Sequence, residues 1–343
     1  MLIVDTSISY CELNRLLKKK KQRRSNRKIK IRTKKIVFGI VVLASTLLVA
    51  CSGGSDAPKP TDTPTSGEVN ISVDESFQKL FYNQIYTFEA IYKNAKVHVN
   101  YIPENEALTS LINDSCKVVV MCRDLTATER KSFEAKNIFP ISTKIAEDAI
   151  VLLVHPENMD TVLTVEQVKA ILLGNDSLWK QVNNKSLLDG VNVVFDNAGS
   201  ANARYMKDTL LQGKNFATNV FAVKSNPEVI EYVSTHKNAL GILSVNWISD
   251  IDDSLTTNTL KKVKVVAIAK DITSKPFKAY QAYIKTKEYP FTRDVFMINR
   301  QTRAGLGMGF VSFVAGDKGQ LMILKAGLIP AIAPVRLVQL NIE

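Results

Sequence analysis

Between Lys117 and Glu134 the chain passes from one periodicity to another within a few residues. Lys117-Val118-Val119-Val120-Met121 is a short apolar run rich in β-branched side chains, the pattern of a buried strand. Thr126-Ala127-Thr128-Glu129 has the spacing of a capping box, in which a Thr hydroxyl and a Glu carboxylate each take a backbone N–H of a new helix. A strand ends where a helix begins, with Cys122-Arg123-Asp124-Leu125 between them. At such a junction unpaired N–H groups and the positive end of the helix dipole face outward together, and Arg123 adds a fixed charge with five donors. The stretch reads as an anion seat. The plainer alternative is an ordinary turn whose Arg pairs with a surface carboxylate.

The alternation repeats along the body of the chain. Val69–Val73 reads as a strand, Asp74-Glu75-Ser76 offers helix N-caps, and Phe77, Leu80, Phe81, Ile85, Phe88 and Ile91 follow helical spacing. Val97–Ile102 is a strand, residues 105–113 a short helix, and Ala149–Val154 a continuous apolar run, as in a buried parallel strand. Thr164-Val165-Glu166-Gln167 opens a second capping-box helix that Gly174 closes. Val191–Phe195 is a strand running into Asp196-Asn197-Ala198-Gly199-Ser200-Ala201-Asn202, a second junction lined with small and hydroxyl side chains, with Tyr205–Leu211 helical after it. Asn226-Pro227 starts a further helix. Strands at Gly241–Val245, Lys262–Ile268 and Val295–Ile298 and helices near 304–314 and 317–326 complete the series. This is the pattern of an α/β fold with mostly parallel sheets, whose ligands sit at the carboxyl ends of strands.

The first 50 residues are different in kind. They hold 13 of the 45 basic residues against two acidic ones, and so carry +11 of the chain's net +12. The folded body is close to neutral, which removes the main support for nucleic-acid binding. Ile36–Ala50 is apolar but too short to span a bilayer as a helix, which takes about 20 residues; the order of charged, apolar and small residues is that of a secretory signal. Leu48-Val49-Ala50-Cys51 resembles the lipobox of bacterial lipoproteins, which would make Cys51 the lipidated first residue and hold the body outside the cytoplasmic membrane, in a periplasm or at a cell surface. An uncleaved membrane anchor is the alternative. Residues 51–68 are rich in Ser, Gly, Pro, Thr and Asp and read as a flexible tether. The remaining 275 or so residues suit two lobes better than one core.

Cys116 and Cys122, if they flank a strand, stand about 20 Å apart, too far for a disulfide. With His98, His155 and His236 as the only histidines, no Cys/His spacing suggests a metal. Gly199-Ser200 lacks a nucleophile elbow, and nothing couples a His to a Ser or Cys, so the chain reads as no enzyme. No cofactor is expected.

The order of motifs resembles the phosphate-binding proteins of bacterial ABC phosphate uptake systems. The resemblance lies in Val73-Asp74-Glu75-Ser76, Arg123-Asp124-Leu125-Thr126, Ala146-Glu147-Asp148-Ala149-Ile150, Leu163-Thr164-Val165 through Gly174 to Trp179, Gly199-Ser200, Asn238-Ala239-Leu240-Gly241-Ile242, Tyr289-Pro290 to Arg293, and Gly319-Gln320 to Gly327-Leu328. It implies a two-lobe clamp of the type II periplasmic-binding-protein kind, flanked by helices and hinged on crossing strands. One lobe would comprise residues 69–150 plus 285–343 and the other 151–284. Ser76 and Arg123 would contact phosphate from the first lobe, and Ser200, Ala201 and Asn202 from the second. Asp196 stands where many members have an Arg, and the Asp that in some members accepts the phosphate proton is replaced near Cys122. Asp196 is therefore the candidate for selectivity, with Asp124 second; Asp148 reads as structural. The resemblance further implies a monomer that hands inorganic phosphate to ABC permease subunits, anchored to the membrane by its lipid. The alternative is a lipoprotein of the same fold for another oxyanion, small ligand or partner protein.

Overall fold

The computed structural model describes residues 62–249, 258, 260–301 and 303–332. The signal segment and Cys51 lie outside the described residues. One long strand, Ile141–Val154, sets the architecture. In chain order the elements are β1 (Gly67–Asp74), α1 (Gln78–Ile91), β2 (Ala95–Ile102), α2 (Glu104–Ile112), β3 (Val118–Met121), α3 (Ala127–Glu134), β4 (Ile141–Val154), β5 (Val162–Thr164), α4 (Val165–Leu173), α5 (Trp179–Val182) and β6 (Asn192–Phe195). They continue with α6 (Ala201–Tyr205), β7 (Val220–Ala222), α7 (Asn226–Thr235), β8 (Ala239–Ser244), β9 (Lys264–Val265), β10 (Ala267–Ala269), α8 (Gln281–Lys285), β11 (Thr292–Asn299), α9 (Leu306–Ala315), α10 (Asp317–Lys325) and β12 (Ile329–Pro330).

The main sheet runs β2-β1-β3-β11-β4-β8-β6-β7, with β9 and β12 also on β4. Its two ends are parallel: β1 pairs with β2 and β3, and β6 with β7 and β8. Its middle is antiparallel, because β11 lies against β3 and β4, and β4 against β8. The sheet is thus mixed rather than mostly parallel, in an α/β fold of the type II periplasmic-binding-protein architecture. Ala149–Val154, expected to be a parallel strand, is the second half of a 14-residue strand antiparallel to its neighbours. An unbroken apolar run requires cover on both faces; it carries no information about direction.

Strand β4 threads two cores. One gathers Phe77, Phe81, Phe88, Ile145, Val295 and Phe310, with Phe88 and Phe310 edge to face at 5.2 Å. The other gathers Ile150, Leu152, Trp179, Val193, Leu240 and Tyr289. The chain passes between them along β4 and again where Phe291 leads into β11, and the Tyr289 hydroxyl donates to the Ile150 carbonyl at 2.7 Å beside the second crossing.

Local signals are realised where the chemistry is local. Thr126 and Thr164 both form complete capping boxes, and Gly174 ends α4 at φ 76°, a left-handed conformation that favours glycine. Cys116 and Cys122 are free and buried. The stretch expected as one strand at Lys262–Ile268 is two short ones, because β9 pairs with β4 and β10 with β5. Within the stretch expected as tether, the Asp62 carboxylate accepts the Leu306 N–H at the start of α9 at 2.7 Å. Among the described residues no helix is long and apolar enough to cross a membrane.

Candidate functional site

Three carboxyl-terminal strand ends and the paired strands β4 and β11 bring polar side chains into one buried cluster. Strand β1 ends at Asp74, whose carboxylate accepts the Ser76 N–H at 2.9 Å and thereby caps the turn into α1. Strand β6 delivers Asp196 and, after a tight loop, Ser200, whose hydroxyl caps α6 by accepting the Ala203 N–H at 3.2 Å. Strand β8 delivers Ser244 and Asn246. Strand β11 delivers Arg293, the register partner of Asp148 on β4. All of these are buried.

The two halves of the molecule touch across this cluster. The Ala201 N–H lies 3.4 Å from Asp74 Oδ2, Asn202 Nδ2 lies 3.4 Å from Ser76 Oγ and 2.9 Å from Asp196 Oδ2, and Asn246 Nδ2 donates to the Ser76 carbonyl at 2.9 Å. Gly199 packs so closely on Asn105 that a Cβ there would collide with the Asn105 amide. Glu104, buried on α2, accepts the Cys122 N–H at 2.7 Å and is ion-paired with Arg204 from the other half.

Arg293 dominates the electrostatics. Its Nε donates to Asp148 Oδ2 at 3.0 Å and its Nη2 lies 2.8 Å from the same oxygen, while Ser244 donates to Asp148 Oδ1 at 2.8 Å. Neither Nη1 nor Nη2 has an acceptor in hydrogen-bonding geometry, although both are buried. Burial works against the guanidinium charge, but the carboxylates of Asp148 and Asp74 hold its pKa above the ordinary value. Burial pushes the Cys122 thiol well up, so it is neutral beside this cation. Asp196 Oδ1 and Asn202 Oδ1 are likewise buried without partners. A buried guanidinium with free donors next to free acceptors is complementary to a small oxyanion that still carries a proton.

Of the residues expected from sequence, Ser76, Asp196, Ser200, Ala201 and Asn202 are brought together here. Arg123 is not among them. Its Nη1 and Nη2 each bind a Glu129 oxygen at 2.8 Å, and its Nε lies 3.8 Å from Glu104, so the guanidinium is held by carboxylates at the rim. It borders, with Ser200, Arg204 and Lys207, a cavity of about 340 Å³ that adjoins the cluster at Ser200. Asp124 is bound by Arg130 and Ser142. Arg293 and Asp148 were not expected as site residues. A signal for Arg293 did exist: it alternates with Val295 and Met297, both fully buried, on one face of β11. A charged residue in phase with a buried face has to meet a partner.

Residues 58–318 match the profile of the PBP superfamily domain. The chain belongs to the PBP superfamily. A PBP superfamily chain with this resemblance to phosphate-binding proteins has relatives to match: it is 23% identical over 303 residues to the phosphate-binding protein PstS of Borreliella burgdorferi, covering 86% of this chain and 98% of that one. It is 24% identical over 290 residues to PstS of Staphylococcus aureus USA300, covering 82% and 84%. Among solved structures, a putative phosphate ABC transporter substrate-binding protein with bound phosphate from Clostridium perfringens superposes with TM-score 0.65 at 19% identity, over 78% of this chain and all of that one. An ABC-type phosphate transport receptor from Vibrio cholerae gives 0.59 at 20% identity, over 77% and 100%. Membership of the PBP superfamily makes the chain an extracytoplasmic solute-binding protein, not an enzyme. Among the described residues no group of His, Cys, Asp or Glu could hold a metal ion.

Proposed function

We propose that this protein is a lipid-anchored solute-binding protein that captures inorganic phosphate between two lobes and delivers it to the permease subunits of an ABC importer. The observation that carries this reading is the buried Arg293 Nη1, which has no partner, beside the unpartnered Asp196 and Asn202 oxygens. Charge-assisted hydrogen bonds contribute roughly 1.5–3 kcal/mol each in such surroundings. One from Arg293 Nη1, with others from Ser76, Ser200, the Ala201 N–H and Asn202, suffices for micromolar binding, about −8 kcal/mol, after desolvation of the anion. The lobes correspond to residues 69–150 with 285–343 and to residues 151–284, and the anion enters where these part. Arg123 stands at the rim of that opening. The relatives named phosphate-binding protein support the choice of anion, and Asp196 supports it chemically, since a carboxylate accepts a proton from hydrogen phosphate and repels sulfate.

Calorimetric titration of the full-length protein in detergent with phosphate, sulfate, molybdate and a sugar phosphate tests the reading. Micromolar or tighter binding of phosphate with weaker binding of sulfate is expected; absence of phosphate binding sinks it. The anchor is tested separately. Cys51→Ser should abolish detergent-phase partitioning, and a processed variant that still partitions would refute lipidation.

A further inference from the structure

The buried cluster holds more carboxyl groups than cations. Arg293 is matched by Asp148, and Glu104 is matched by Arg204. Asp74 and Asp196 are fully buried and, among the described residues, neither makes an ion pair. Asp74 is the more consequential of the two, because it stands at the contact between the halves. Its Oδ1 accepts the Ser76 N–H at 2.9 Å, and its Oδ2 lies 3.4 Å from the Ala201 N–H of the opposite half.

Charged groups reach Asp74 from every element packed around it. Glu104 on α2 and Asp196 after β6 repel a negative charge there, and Arg293 on β11 favours it. Glu75, next in sequence, is itself affected by Asp74 and Asp196, and Glu106 acts on Glu75 in the same sense. Cys122 is neutral. With Asp74 ionised, an oxyanion brought to Arg293 would meet uncompensated negative charge from both halves at once, in a place with little water to screen it.

We infer that Asp74 takes part in binding as a neutral carboxylic acid that donates its O–H to an oxygen of the ligand, so that capture of phosphate is coupled to uptake of a proton from solvent. The inference rests on the phosphate reading above and names the protonation state in which the site works. It makes Asp74 a specificity-determining residue: a donor at this place requires a ligand oxygen that carries no proton.

Independent support comes from the solvation of the group. Burial, with Glu104 and Asp196 adding to it, raises Asp74 from 3.8 to about 7, and burial raises its neighbour Glu75 to about 8. The acid form is therefore well populated at neutral pH. Below about pH 7 this group leaves affinity unchanged; above it, affinity falls by about tenfold per pH unit for one proton taken up.

The test is calorimetry of the full-length protein with inorganic phosphate between about pH 6 and pH 9, in buffers of different ionisation enthalpy, which counts the protons exchanged. Phosphate exchanges protons of its own near neutrality, so its known ionisation is subtracted, and sulfate, which has none to exchange there, is run in parallel. Uptake of about one proton by the wild-type protein at alkaline pH is expected, together with its loss in Asp74→Asn, whose amide is a donor at every pH. Asp74→Asn should then bind phosphate about tenfold or more tightly than wild type at the alkaline end, relative to the acid end. Binding with no proton uptake by the wild-type protein overturns the inference and leaves the phosphate reading intact, and this arm needs no variant to fold. Uptake that persists in a folded Asp74→Asn also overturns it. Failure to bind phosphate at any pH overturns the phosphate reading and the inference together.

Discussion

Arg123 and Arg293 both stand beside the contact between the two halves, and they have opposite fates. The Arg123 side chain is 24% exposed, and both its terminal nitrogens are bound to Glu129. The Arg293 side chain is 2% exposed; its Nη2 lies 2.8 Å from Asp148 Oδ2, and its Nη1 has no acceptor. Recognition of an anion requires donors that are charged, shielded from water and not already spent. Arg123 has the charge alone, whereas Arg293 has all three.

Substitution distinguishes the two regions. The largest effect is expected for Arg293→Gln, which removes the buried charge and leaves Asp148 unpaired: phosphate affinity should fall by about 3–5 kcal/mol, several hundredfold or more, with a loss of stability in urea. Near-wild-type phosphate affinity in a folded Arg293→Gln would break the comparison.

The next effect concerns stability and Asp74. Its pKa is raised on folding from 3.8 to about 7. The native state therefore holds more protons than the unfolded one in that window, and Asp74 makes stability fall as pH rises from about 4 to about 7. The full contribution is at most about 4 kcal/mol. Urea midpoints of wild type and Asp74→Asn across this range should diverge toward neutral pH in favour of the variant; parallel curves would show that the carboxyl is solvated in the free protein.

Asp196→Asn should weaken phosphate binding by about 1 kcal/mol while improving that of sulfate, since it removes a charge that repels any anion but can accept a proton from hydrogen phosphate. Unchanged discrimination between the two anions would move selectivity to another group. Smallest is Arg123→Ala, for which a change in phosphate affinity within about 1 kcal/mol is expected, as for other partly exposed ion pairs. A loss as large as that of Arg293→Gln would mean that Arg123 abandons Glu129 for the ligand on binding.

The engagement of Arg123 with Glu129 has a physical origin that is visible in the sequence only afterwards. The capping box that marks Thr126 as a helix start contains Glu129, and the carboxylate of Glu129 both takes the Thr126 N–H at 2.7 Å and binds Arg123. The motif that pointed to an anion seat supplies the anion. Arg293 is harder to find, since its partner Asp148 is 145 residues away and the pairing depends on the register of β11 against β4. Local chemistry was legible: both capping boxes, the glycine stop at Gly174, the strand at Val118–Met121 and the free cysteines. The junction after β6 was legible as well, although the helix starts at Ala201 rather than Tyr205, because Ser200 caps it. The direction of β4 and the splitting of residues 262–268 were not, because each is decided by which strand lies alongside.

Arg293 and Asp148 face each other on the two strands by which the chain crosses from one core to the other. Residues on a rotation axis move least when bodies turn about it. If the halves open as a clamp, this pair stays assembled while Ser76 and Asn202, which come from opposite sides, separate. The encounter and the retention of an ion then fall to different residues. Arg293 offers its charge to ions diffusing into the open cleft and so governs how fast they arrive, with a rate that falls as salt is added. Ser76 and Asn202 join only after closure and govern how long the ion stays.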